Sequence, residues 1–177
     1  MGLDRSTLRC GVDHAPPQAT VLRAGPVTTR LEAGTLRYVR LGRHEVLRQV
    51  YAAVRDHNWE TVPARVSDVE VDAGDDSFLI TFTSRHERGD VDFTWDGRIS
   101  GSADGTIVFS FDGRANSTFR RNRIGFCVLH PMECAGAPCT VEHVDGATTH
   151  GEFPERISPH QPFRGMRAIT HQIAPGV

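Results

Sequence analysis

Between Arg120 and Phe163 the chain gathers most of its reactive side chains: three of its four cysteines, four of its nine histidines and the triplet Arg121-Asn122-Arg123. Three chemistries suit these residue types. The first is metal ligation by Cys127, Cys134, Cys139 and His143. Their spacing, C-x6-C-x4-C-x3-H, lacks the short C-x2-C knuckle of structural zinc sites, and Cys127 lies in an apolar run where a buried free thiol is common. No metal and no other cofactor is therefore expected. The second is a Cys-His nucleophilic pair, but nothing marks a thiol as activated; Cys134 and Cys139 flank Gly136 and Pro138 in a loop. A Cys134–Cys139 disulfide fits such a loop but not a reducing compartment. The third is polar recognition of a carbohydrate. Arg121, Asn122, Arg123, His130, His160 and Gln161 supply donors and acceptors suited to hydroxyls and carboxylates, with His143 close in sequence. Pro159 and Pro162 hold the backbone around His160, which lowers the entropy lost on binding. Any one of these histidines taken alone is more simply a turn cap; the grouping is what points to a site.

These residues need a scaffold, and the chain around them reads as β-structure. Short apolar pieces at 20–22 and 27–31 flank a turn at Arg23-Ala24-Gly25-Pro26. A strand follows the Ala33-Gly34 turn, through Leu36 and Tyr38. Residues 44–57 fit either period, the helical one slightly better; Val and Tyr favour strand, and the neighbouring strands decide for it. Strands are expected around Val66–Val71, at Phe78–Ser84, at Val91–Trp95 and at Thr106–Phe111. Asp96-Gly97, Asp104-Gly105 and Asp112-Gly113 read as three hairpin turns of an antiparallel meander. The apolar run Ile124–Leu129 reads as a central strand buried on both faces, bracketed by Arg123 and His130. Further strands are expected at Thr140–Val144 and Met166–Ile173. The fold class is all-β, an antiparallel β-sandwich over residues 20–177 behind a flexible leader at 1–19.

At 177 residues the chain is long enough for one domain with a real core. A formal charge of −2 and positive charge carried by Arg, without a basic stripe, imply no nucleic-acid partner. No apolar run has the length of a membrane span, and the N-terminus has no secretory h-region, so the default compartment is the cytoplasm. No Gly-rich phosphate loop occurs.

Three long pieces carry a resemblance: Arg121-Asn122-Arg123-Ile124-Gly125-Phe126-Cys127-Val128-Leu129-His130-Pro131, then Cys139-Thr140-Val141-Glu142-His143-Val144-Asp145-Gly146, then Ile157-Ser158-Pro159-His160-Gln161-Pro162-Phe163. With Phe153-Pro154, Leu36-Arg37-Tyr38-Val39-Arg40, Val54-Arg55-Asp56-His57-Asn58-Trp59 and Gly105-Thr106-Ile107-Val108-Phe109-Ser110, they make the chain resemble the N-terminal part of the D-apionate lactonase family from about Thr29 onward. The resemblance implies bacterial enzymes that hydrolyse a sugar-acid lactone, D-apionolactone to D-apionate. It also implies a β-sandwich of galactose-mutarotase type followed by a barrel domain and a C-terminal β domain. The stop at Val177, directly after an apolar strand, leads us to expect an incomplete sandwich and a downstream barrel partner in the same polypeptide. The resemblance carries no catalytic residue onto this chain. By residue type, His130 or His160 suits a base and Arg123 a sugar-acid carboxylate. Two other readings stay open: a non-catalytic carbohydrate-binding or interdomain module, and a mutarotase or epimerase pairing His130 with Glu142.

Overall fold

A computed structural model describes residues 18–156 and 162–173. Twelve strands form among them, with one 3-10 turn at Met132–Cys134 and no α-helix. In chain order they are β1 (Thr20–Ala24), β2 (Val27–Glu32), β3 (Thr35–Leu41), β4 (His44–Asp56), β5 (Ala64–Ala73) and β6 (Phe78–Arg88). There follow β7 (Val91–Gly101), β8 (Ile107–Ala115), β9 (Arg121–Leu129), β10 (Pro138–His143), β11 (Thr148–Glu152) and β12 (Met166–His171). All pairings are antiparallel.

Three sheets result. The first runs β1-β2-β3-β4-β9, the second β5-β6-β7-β8, and the third β11-β10-β12. The first two are meanders, joined when β9 returns after the second meander to pair with β4. Strand alternation makes the core. Phe78, Ile80, Phe82, Ser84 and His86 of β6 turn inward together, as do Val91, Phe93, Trp95 and Ile99 of β7. They pack against Leu22, Ala24, Leu31, Leu36 and Val54 of the five-stranded sheet in one cluster. The expected all-β antiparallel sandwich is what forms. The third sheet has a separate small core of Cys134, Cys139, Val141 and Phe153.

The ambiguous segment at 44–57 is strand β4; β3 pairs with its first part, from His44 to Val50, and β9 with the rest, from Gln49 to Asp56, and tertiary pairing outweighs its helical period. Two expectations are corrected. Only Asp104-Gly105 turns the chain among the three Asp-Gly pairs; β7 runs straight through Asp96-Gly97, and β8 through Asp112-Gly113. The reason is space. A Cβ at Gly97 would overlap the ring of Phe82, its cross-strand partner, and one at Gly113 would overlap the Phe93 ring. These glycines make room for aromatic rings inside strands. The second correction concerns β9. Among the described residues it is an edge strand, bonded only to β4, with Phe126, Val128 and Leu129 more than two-fifths exposed. An apolar run states a need for cover and not where the cover comes from. Phe126 finds part of it against Phe109 and Phe111 of β8, at 4.8 and 5.9 Å between ring centroids. Strand β11 has no apolar run and was not expected; it forms because β10 offers it a paired edge behind the Asp145-Gly146 turn.

Candidate functional site

Strand β9 decides where the expected residues go. Arg121, Asn122 and Arg123 open it, and His130 follows its last residue. Seven residue steps of extended chain lead from Arg123 to His130, about 23 Å. The expected single cluster is thus two places at opposite ends of one strand. His160 and Gln161, with Ser158 and Pro159, lie outside the described residues.

At the opening of β9 the polar groups build a rigid corner. Asn122 donates from Nδ2 to the carbonyl oxygens of Asp56 and His57, each at 2.9 Å. The Asp56 carboxylate accepts from the amides of Asn58 at 2.8 Å and Glu60 at 3.0 Å, and from Arg88 Nη2 at 2.7 Å. Burial pushes the Asp56 carboxyl up, but these amides and the Arg88 guanidinium outweigh it and hold it below its ordinary value. The turn so tied carries Trp59 at φ +68°, a left-handed backbone uncommon for a bulky residue. Trp59 is 55% exposed, and the Arg123 guanidinium lies 5.3 Å from the centre of its ring. Arg121, opposite Asp56 in the register, is exposed beside it. An exposed aromatic face with a guanidinium group against it suits a sugar ring that carries a carboxylate. Asn122 is a positioning residue here, with its amide nitrogen committed to the backbone. Sequence reasoning missed Trp59; the available signal was a large aromatic inside the polar turn Asn58-Trp59-Glu60.

The other end of β9 meets the third sheet. His130 packs on Phe153 at 4.6 Å and on His171 at 5.0 Å between ring centroids, and Phe153 also meets His171 at 5.1 Å. Cys134 Sγ lies 4.0 Å from His171 Nδ1. Burial, with the neighbouring His171 ring, lowers the His130 pKa to about 4, so its imidazole is neutral near pH 7. Its Nδ1 is buried without a hydrogen-bond partner among the described residues. Burial, then the Glu133 charge, pushes the Cys134 thiol up; burial and Glu152 do the same for Cys139. Neither is an activated thiolate, and both are free thiols. The quartet Cys127, Cys134, Cys139 and His143 does not assemble as the ligand group; the group that assembles among the described residues is His130, Cys134 and His171. His143 instead bonds Arg164 O at 3.0 Å and Thr149 Oγ1 at 2.9 Å. Glu142, the alternative partner for His130, is ion-paired with Arg167 at 3.1 Å on the third sheet. His171 was missed because it comes 37 residues after Cys134 in the chain.

Two further surfaces have polar character. A concavity of about 510 Å³ on the outer face of the four-stranded sheet is lined by Asp68, Glu70, Thr83, Asp96, Arg98 and Asp112. On the outer face of the five-stranded sheet, Arg30, Arg37, Arg40 and Arg48 surround the Tyr38 ring at 5.1 to 5.8 Å. Glu32 and Glu45 offset part of that charge.

Comparison with known proteins gives one family. The model of the D-apionate lactonase N-terminal domain matches residues 7–177. A relative from Brucella anthropi, described as a D-apionate lactonase, is 39% identical over 169 residues, which is 94% of this chain and 28% of that protein. The chain therefore spans less than a third of the length of the curated relative it matches. No solved structure matches it.

Proposed function

We propose, from the premise that this chain belongs to the D-apionate lactonase N-terminal domain family, that it forms the N-terminal β domain of a cytoplasmic carbohydrate lactone hydrolase. The lactone of a branched sugar acid, D-apionolactone, is the substrate class this reading takes, and a barrel domain of the same polypeptide is its partner. The match over nearly the whole chain is the observation that carries it. Lactone opening adds water to the carbonyl, so the reaction needs a base for the water and donors for the oxyanion. Arg123 against Trp59, and Arg121 two residues before it on β9, are the groups that suit the sugar acid, with Asn122 holding the corner beside them. His130, neutral at pH 7, retains a lone pair for work at the far end of β9. His160 and Gln161 complete the proposed substrate contacts. A chimaera tests this: the chain replaces the matching stretch of the Brucella anthropi relative, and lactone opening is followed by proton release. Turnover near that of the relative is the expected result. A folded chimaera without turnover sinks the assignment.

A second reading has its own support. Phe126, Val128, Leu129 and Met132 leave exposed apolar side chains along and just past the edge strand β9. Such an edge suits a non-catalytic module that packs on a neighbouring domain. In the same chimaera, Trp59→Ala and Arg123→Ala separate the two: a raised KM at unchanged kcat supports sugar contact at the corner, and unchanged constants support a packing role.

A further inference from the structure

The meeting of His130, Cys134 and His171 has a second chemistry, in which the His130 lone pair serves as a ligand and not as a base. One residue comes from the end of β9, one from the 3-10 turn and one from the end of β12. Their ligand atoms all lie within 4.8 Å of one another. Two ligands of one tetrahedral zinc stand about 3.5 Å apart. The 4.0 Å between Cys134 Sγ and His171 Nδ1 is close to that, and a small side-chain rotation closes the set. A core that needed only filler has no use for the buried, unpartnered Nδ1 of His130; an aliphatic side chain fills that space without an orphaned lone pair. Phe153 packs against both histidine rings and backs their edge-on contact at 5.0 Å. Metal sites generally set such a dry wall behind their imidazoles.

We propose that His130, Cys134 and His171 bind one zinc-class divalent ion. A thiolate with two imidazoles selects zinc or its transition-metal neighbours over magnesium or calcium. As the sulfur–metal bond forms, the Cys134 thiol proton leaves to solvent, and both histidines bind as neutral rings. No fourth Cys, His, Asp or Glu joins the group among the described residues, so a solvent or substrate oxygen takes the remaining position. His130 and His171 are each only half-buried, which leaves that position within reach of solvent. The ion has a structural task as well. The third sheet rests on a core of only four buried residues, and a metal clip is a standard supplement to so small a core. Bound there, it fastens the sandwich strand β9 to β12 of the small sheet. The proposal stands whether or not the protein opens lactones.

The test uses the full chain, stripped with a chelator and titrated with Co²⁺. One equivalent is expected to give a near-ultraviolet thiolate-to-cobalt charge-transfer band and intense tetrahedral visible bands, both erased by Zn²⁺. Cys134→Ser and His171→Gln are each expected to remove the charge-transfer band or shift it, and to weaken zinc at least ~100-fold. Cys127→Ser, on β9 outside the group, keeps both. Zinc raises the melting temperature of the wild type and not of the two ligand variants, whose far-ultraviolet circular dichroism reports that they are folded. A wild-type chain without the thiolate band overturns the site. So does a band that survives Cys134→Ser unchanged, or one lost equally in Cys127→Ser.

Discussion

His86 shows how one side chain sets a pH dependence. It is 1% exposed in the centre of the sandwich. Its Nδ1 donates to Val62 O at 2.9 Å, which leaves Nε2 to accept from Trp95 Nε1 at 3.1 Å, with Ser84 Oγ at 3.4 Å. Only the neutral ring satisfies this arrangement; a proton on Nε2 would face the indole donor. Burial lowers the His86 pKa below its ordinary value, although the bond to Val62 opposes the shift. The folded state therefore binds fewer protons than the unfolded chain as the pH drops below about 6.5. The stability due to His86 is present above that value and is lost as pH falls toward the folded pKa, by at most ~1.4 kcal/mol per pH unit. Urea unfolding between about pH 7.5 and about pH 5 is expected to show a shallower decline for His86→Gln than for the wild type. Equal slopes would assign the acid sensitivity to other groups.

At the scale of the strand, glycine position is the informative feature. Gly97 and Gly113 sit inside β7 and β8 under the rings of Phe82 and Phe93. Phe82 in turn meets Trp95 edge-on at 5.1 Å, so its ring is fixed from two sides. Gly97→Ala forces that ring to move and is expected to cost roughly 1–3 kcal/mol at unchanged m value. Gly74→Ala serves as the comparison. Its Cβ would meet only ordinary contacts, beginning with Ser77 O at 3.7 Å, and its effect is expected to stay within about 0.5 kcal/mol. If both variants unfold at the same urea concentration, the ring-accommodation account of the Asp-Gly pairs fails. In these pairs the sequence reading found a hairpin signal three times and was right once. The dipeptide records local permission to turn; whether the chain turns depends on what stands across the ladder.

For the molecule as a whole, the uneven closure of the sandwich matters most. Strands β6 and β7 of the four-stranded sheet bury their inward face, yet among the described residues β9 bonds on one side only and leaves Phe126 42%, Val128 48% and Leu129 42% exposed. Apolar rows on a free strand edge drive self-association. Val128→Lys is expected to abolish concentration-dependent growth in sedimentation coefficient while leaving the thermal midpoint unchanged, since an exposed position contributes little to the core. If wild type and variant sediment alike at every concentration, the row is not an association surface. No helix among the described residues is long and apolar enough to cross a membrane.

Period-two alternation with β-branched and aromatic residues was enough to set out nearly every strand, because strand side chains alternate regardless of their partners. The long motifs around Arg121–Pro131 and Cys139–Gly146 were enough for the family, since an ungapped run of specific residues is seldom shared by chance. Tertiary structure decided what depends on distance between remote residues. It separated Arg123 from His130 by the length of β9. It placed β9 at an edge, and it set Gly97 beneath a ring. It brought His171 to Cys134 across 37 positions of sequence. Local pattern has no term for any of these, because each is fixed by which strand pairs with which, and that pairing is a property of the whole chain.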